Sequence, residues 1–291
     1  MKHKLYGSVS ILFLMTLSLA GCNTRTTTTT ANDIRFDSLY VDKTCHLLDN
    51  LDNPNCNLQI KFLFPVSFAD QETLATLQRH FIRSHFGEPY EGLPPAAAVE
   101  QYVNDYIDEY KSMEEDFLAE TKEDEAPGHE HDEAPGISAW FSWYEYSSNE
   151  ILYNQNDLLC YAVSYENYTG GAHGAHAYRS HVIDLQTGLE MKENDLFTEG
   201  YQEDLARILV GKIAENNRAE TPRELENQGF FSIDEIYPNN NFSIDDTGIT
   251  YYFNEYEIAA YVIGMTRVHL TYDKLRHLLR PDHRIARLAG N

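Results

Sequence analysis

Three histidines gather on one glycine-rich stretch, Tyr168-Thr169-Gly170-Gly171-Ala172-His173-Gly174-Ala175-His176, with His181 just beyond it. Neutral imidazoles suit Zn²⁺, so His173 and His176 are candidate ligands. Their spacing follows a glycine-rich turn rather than a helix, and a metal would need carboxylate or thiolate partners from elsewhere. Gly170, Gly171 and Gly174 point first to a chain reversal that needs positive φ or close backbone contact. The segment therefore reads as a hairpin whose histidines are hydrogen-bonded, with no metal or cofactor expected. His129-Glu130-His131 is a second possible chelate. It lies between two copies of Asp-Glu-Ala-Pro-Gly, and residues 123–136 read as a solvated acidic loop.

Two carboxylates, Glu255 and Glu257, lie two residues apart in a run expected to be extended, so both would face one side of a strand. A carboxylate pair can hydrolyse a glycoside, but an ordinary surface pair explains them equally well. Twenty tyrosines could form a sugar-stacking platform, although tyrosine also suits half-buried strands. The sequence holds no nucleophile elbow, P-loop, dinucleotide fingerprint or H-E-x-x-H. No catalytic residue is assigned. A glycan hydrolase and a metal-binding protein remain the alternatives to a binding module.

Cysteine chemistry begins at the N-terminus. Lys2 and Lys4 precede a largely apolar run from Leu5 to Ala20, which ends in Leu19-Ala20-Gly21-Cys22. The run is short for a spanning helix, which needs ~20 apolar residues, and it matches a secretory signal. Its end resembles the lipobox of bacterial lipoproteins. The small residues would admit a peptidase, and the Cys22 thiol would take the lipid; two or more acyl chains anchor stably where one is marginal. Residues 1–21 are thus expected to be a signal peptide, and 22–34 a Thr-rich tether. No acidic run follows Cys22, which favours an outer-membrane anchor facing the periplasm. In that oxidising compartment Cys45 and Cys56, which flank a turn-rich segment, are expected to form a disulfide. Cys160 reads as a buried apolar residue.

Acid outweighs base, 46 Asp+Glu against 22 Lys+Arg, for a net charge of −24. Loss of residues 1–21 removes two lysines and no acid, which moves the charge to −26. Such a surface excludes phosphate-backbone binding, so no nucleic-acid partner is expected. With 42% apolar residues the chain can bury a substantial core.

The elements that must position these residues can be read from periodicity. Leu58–Phe64 alternates as a strand. Asp70–Phe86 carries one apolar stripe and stops at Gly87. Residues 96–122 read as one longer helix. Ile137–Glu145, Glu150–Tyr153, Leu158–Tyr168 and Ala177–Leu185 read as strands, the last two joined at Gly170-Gly171. Tyr201–Asn217 is an amphipathic helix, and Thr221 caps a short one. Strands are expected at Asn241–Ile244, Ile249–Phe253, Glu257–Ile263 and Arg267–Leu270, then a closing helix at Tyr272–Leu279. Helices and strands do not alternate, which indicates an α+β fold with mainly antiparallel sheets and packed helices.

Three segments in order carry a resemblance: Tyr168–Gly174, then Asp195-Leu196-Phe197 after a Thr187-Gly188 turn, then Tyr251–Tyr261, which includes Asn254, Glu255, Tyr256 and Glu257. Together they resemble the extracytoplasmic region of the anti-sigma factor RsiV, shared with the non-catalytic part of the peptidoglycan deacetylase PdaC. The resemblance spans roughly Phe36 to Arg280. It implies two intimately coupled subdomains, a PdaC-like one over 35–185 and an RsiV-like one over 186–291. It also implies a module that binds rather than catalyses, its ligand a basic, lysozyme-like protein or peptidoglycan. The sequence carries no recognisable sigma-binding segment or deacetylase domain, so neither activity is expected of it.

Overall fold

The computed structural model describes residues 31–124, 137–281 and 283–290. The signal-like segment, Cys22 and His129-Glu130-His131 lie outside the described residues.

Six strands form the larger sheet in chain order: β1 (Arg35–His46), β2 (Asn55–Ser67), β3 (Trp143–Gln155), β4 (Leu158–Tyr168), β5 (Ala175–Asp184) and β6 (Leu189–Glu190). Neighbours are antiparallel except β2 and β3, which run parallel from Cys56↔Trp143 to Lys61↔Ser148. A parallel pair needs a long crossover. Here the crossover carries α1 (Gln71–Phe86), α2 (Pro95–Lys111), α3 (Glu114–Asp124) and the single turn α4 (Ile137–Trp140). Asp70 caps α1 by accepting from the Thr73 N–H at 2.8 Å, and Gly87, at φ +99°, ends it.

Alternation decides which side chains meet those helices. Leu58, Ile60 and Phe62 of β2 pack with Leu77, Phe81 and Ile82 of α1 and with Val99 and Tyr110 of α2. Phe81 stacks on Tyr161 of β4 at 3.9 Å. Every residue from Leu158 to Val163 is buried, because β4 is covered on both faces. Leu159, Tyr161 and Val163 join the helix-side core, whereas Leu158 and Cys160 join a second core. That second core belongs to a smaller antiparallel sheet of β7 (Phe242–Ile244), β8 (Gly248–Phe253) and β9 (Thr266–Thr271), with α6 (Gln202–Asn216) packed against it. Short helices α5 (Glu193–Leu196), α7 (Tyr272–Leu275) and α8 (Arg284–Leu288) complete this layer. The fold is α+β, as composition and pattern imply. No helix among the described residues is long and apolar enough to cross a membrane.

Two asparagines dock the layers. β5 would be a free edge along Tyr178–Ser180, an exposed template for unwanted pairing. Asn241, just before β7, accepts from the Ser180 N–H and donates to the Tyr178 carbonyl, both at 2.8 Å. Asn254, just after β8, accepts from the Tyr178 N–H at 2.8 Å and donates to the same carbonyl at 3.2 Å. The side-chain amides thus stand in for a missing strand.

Several expected elements differ. The helix expected over 96–122 is two, broken at Ser112-Met113, so that Phe117 can pack edge-on against Phe141. Glu257–Ile263 is not a strand. Glu257 N–H donates to the Asn254 carbonyl, Tyr256 sits at φ +62°, and a 3-10 turn covers Tyr261–Ile263. Its apolar pattern arises because Ile258 and Ala259 enter the second core. The closing helix stops at Leu275, since Leu278 must expose its carbonyl to the Thr198 N–H. Ile137–Trp140 is helical, and β3 starts only at Trp143. β1 escaped the sequence reading because most of its residues are exposed, which blurs its alternation.

Cys45 and Cys56 are direct partners across the β1–β2 pair, with both thiols free. Burial, together with the neighbouring Cys45, pushes the Cys56 thiol up to about 11. Cys160 is fully buried.

Candidate binding site

The second layer covers the β4–β5 end of the larger sheet's second face and the last turn-side residues of β3 around Tyr153. Where it stops, a cleft of about 470 Å³ opens between the uncovered face and the 254–265 segment. Its floor is set by register. One row across the strands runs Tyr40, Lys61, Ser148, Ser164, Tyr178. The next runs Asp42, Gln59, Tyr146, Glu166, His176. Ser148 and Ser164 hydroxyls bond each other at 2.9 Å. Tyr168, Tyr144 and Tyr146 stack in sequence, with centroids 6.1 and 5.0 Å apart. Tyr146 is 37% exposed and Tyr40 67% exposed.

Glu255 hangs over the far end of the second row. Its carboxylate lies 3.0 Å from His176 Nδ1, and Glu166 lies 3.8 Å from His176 Nε2. One imidazole therefore sits between two carboxylates whose residues are far apart in the chain. Beside it, His173 stacks on Tyr261 at 4.2 Å and meets the Tyr256 hydroxyl at 3.3 Å. Tyr256 is 56% exposed and held at positive φ, a costly conformation for a bulky residue and one that collects at functional sites.

The expected site residues divide accordingly. Gly170 and Gly171 take φ of +93° and +112°, but within a six-residue connection, 169–174, that is longer than the tight reversal expected between β4 and β5. A Cβ on Gly174 would stand 2.6 Å from the Tyr144 hydroxyl, so close approach explains that glycine. His176, Asn254 and Glu255 line the cleft, while His173 and Tyr256 stand at its rim. The supposed pair of Glu255 and Glu257 is split by the turn. Glu257 is turned to accept from the Asn239 side chain and the Asn254 N–H. Among the described residues, no group of three or more His, Cys, Asp or Glu is placed to hold a metal ion.

His181 leaves the cluster altogether. Its Nδ1 lies 2.8 Å from Glu190, whose other oxygen is 2.9 Å from Lys192 Nζ. Burial would raise the Glu190 carboxyl, but the hydrogen bonds and charges of His181 and Lys192 outweigh it and hold it at about 2. A folded value below the ordinary 4.5 means that this contribution is complete above pH 4.5 and is lost as pH falls toward 2. We expect Glu190→Gln to lose about 2 kcal/mol at pH 6 and about a quarter of that at pH 2.5, allowing for the partial exposure of the group. Denaturant melts at the two pH values check this; an equal loss at both would refute it.

The sequence reading missed Tyr40, Tyr146, Glu166 and Asn241. A signal was available for two of them: Tyr144, Tyr146, Glu166 and Tyr168 occupy alternate positions of adjacent strands and so share one face.

A six-stranded sheet with helices on one face and a small second sheet over part of the other, leaving a cleft between, defines an α+β class shared with known proteins. A family model described as Deacetylase PdaC matches residues 52–176, and one for DUF3298, described as a protein of unknown function, matches 194–273. The crystal structure of a DUF3298 member from Bacteroides fragilis is 32% identical, with a TM-score of 0.81, over 90% of this chain and all of that one. The chain belongs to the DUF3298 family. A DUF3298 protein from Pseudomonas aeruginosa shares the fold at 17% identity and TM-score 0.56, over 86% of this chain and 96% of that one. A comparison with curated proteins finds no match.

Proposed function

We propose that this chain is a lipid-anchored protein of the cell envelope whose α+β body is a non-catalytic binding module. The cleft carries the reading. It is concave, its volume lies in the ~300–1,000 Å³ range of ligand sites, and it presents exposed tyrosine beside paired carboxylates. The lipobox-like Leu19-Ala20-Gly21-Cys22 supports an anchor on Cys22, placed in the outer membrane and facing the periplasm. The RsiV-like resemblance supports a lysozyme-like protein or peptidoglycan as ligand. A charge of −24 in the full chain would steer a basic partner.

The test uses the full chain, extracted in detergent from the membranes of an expressing cell. Lysozyme or purified peptidoglycan should be retained by the wild type, and Tyr146→Ala should retain several-fold less. Cys22→Ser should accumulate as unprocessed precursor that carries no lipid. Normal processing of Cys22→Ser would refute the anchor, and failure to retain either ligand would refute the module.

A further inference from the structure

We propose that the cleft is a saccharide site that holds a short linear oligosaccharide lying across strands β1 to β5. This deepens the binding-module reading and rests on it for the cleft being a ligand site.

The chemistry of the floor selects the ligand. Tyr146 has one ring face against Tyr144, which leaves the other free in the cleft. Tyr40 stands two strands away and one row along, which strand spacing and rise together place at about 12 Å. Two exposed rings at that separation suit the flat C–H faces of two pyranoses in one chain, because a ring face carries partial negative charge and attracts C–H groups. Between and beside the rings lie two hydroxyls and an amide: Ser148, Ser164 and Gln59. Such groups donate and accept at once, which matches sugar hydroxyls. At the inner end, Glu166 and Glu255 offer carboxylate oxygens that accept two hydroxyl donors each, with His176 held between them.

Size and charge separate this ligand from a folded protein. The cleft encloses about 470 Å³, a volume that fits a chain of a few sugars rather than the broad surface of a globular partner. Its walls are not uniformly acidic, since Lys61 lines it beside Tyr40. A neutral polyhydroxylated ligand meets both signs without leaving a buried charge unpaired. β1 is the outer strand of the sheet, so the Tyr40 end of the row lies at an edge where a longer polymer can continue outward.

The experiment titrates the detergent-solubilised full chain by calorimetry with chitotetraose, with cellotetraose and, separately, with lysozyme. At least one tetrasaccharide should bind. Tyr146→Ala and Tyr40→Ala should each weaken it about five- to tenfold, with unchanged thermal melting. Tyr146→Phe keeps the ring and should restore most of the affinity. Glu166→Gln should weaken binding severalfold, whereas Leu189→Ala, on a remote exposed strand, should not. Saccharide binding that ignores both tyrosine substitutions would overturn the proposal. Lysozyme binding without any tetrasaccharide binding would overturn it too, while leaving the module reading intact. Binding of neither would remove both.

Discussion

Gly248→Ala should lower the melting temperature by roughly 6–12 °C, the equivalent of about 3 kcal/mol in a chain of this size. Gly248 begins β8 and pairs with Thr271 of β9. A Cβ there would stand 2.1 Å from the Leu270 carbonyl oxygen, 2.9 Å from its carbon and 3.0 Å from Thr271 Cα. All three atoms are backbone, so no side chain can swing aside; the strands must part. The neighbourhood has little room to adjust. Asp245 accepts from the Gly248 N–H, and the Thr247 carbonyl accepts from the Tyr272 N–H. Gly211, inside α6 with nothing within 4 Å of its would-be Cβ, is the control. Gly211→Ala should be neutral or stabilising by up to about 1 kcal/mol, from helix propensity alone. Paired thermal melts read both. Equal melting temperatures for Gly248→Ala and wild type would show that β8 and β9 are not packed this closely.

Asn241→Leu should cost about 2–4 kcal/mol. The residue is 1% exposed, and both ends of its amide are engaged on β5. Leucine nearly preserves the volume but orphans the Ser180 N–H, and an unpaired buried donor loses its full desolvation free energy. The clamp is itself held in place. Asn240, at φ +56°, exchanges backbone and side-chain hydrogen bonds with Glu193, which also accepts from the Tyr201 hydroxyl. Asn254→Leu should cost less, because Asn254 is half-buried and Asn241 still serves the Tyr178 carbonyl. Denaturant melts give the energies. Amide hydrogen exchange gives the site: the Ser180 N–H should exchange much faster in Asn241→Leu. Unchanged exchange there would sink the idea that asparagine closes this edge. The same substitution should loosen the 254–257 turn over the cleft, since Asn254 docks on Tyr178, whose carbonyl Asn241 also holds.

Much of the scaffold is legible in the amino-acid sequence, because its signals are local. The stripe of Leu74, Leu77, Phe81 and Ile82, closed by Asp70 and Gly87, specifies α1 without help from the rest of the chain. The unbroken apolar run from Leu158 to Val163 announces a strand buried on both faces. Gly170-Gly171 marks the reversal that follows it. Local signals fail where a partner overrides them. Ile258 and Ala259 read as strand but are apolar only because they plug the second core, and Ser112 interrupts a helical period that continues past it. The site belongs to the tertiary structure. A period of two tells which residues of a strand share a face, not which strand lies alongside or how far a second layer extends over that face. The meeting of Glu166 and Glu255 at His176 follows from the β4–β5 register and from two asparagines closing the edge of β5. The contacts of Glu255 and the two asparagines with β5 join residues some sixty to eighty positions apart, and no periodicity within a single segment encodes them.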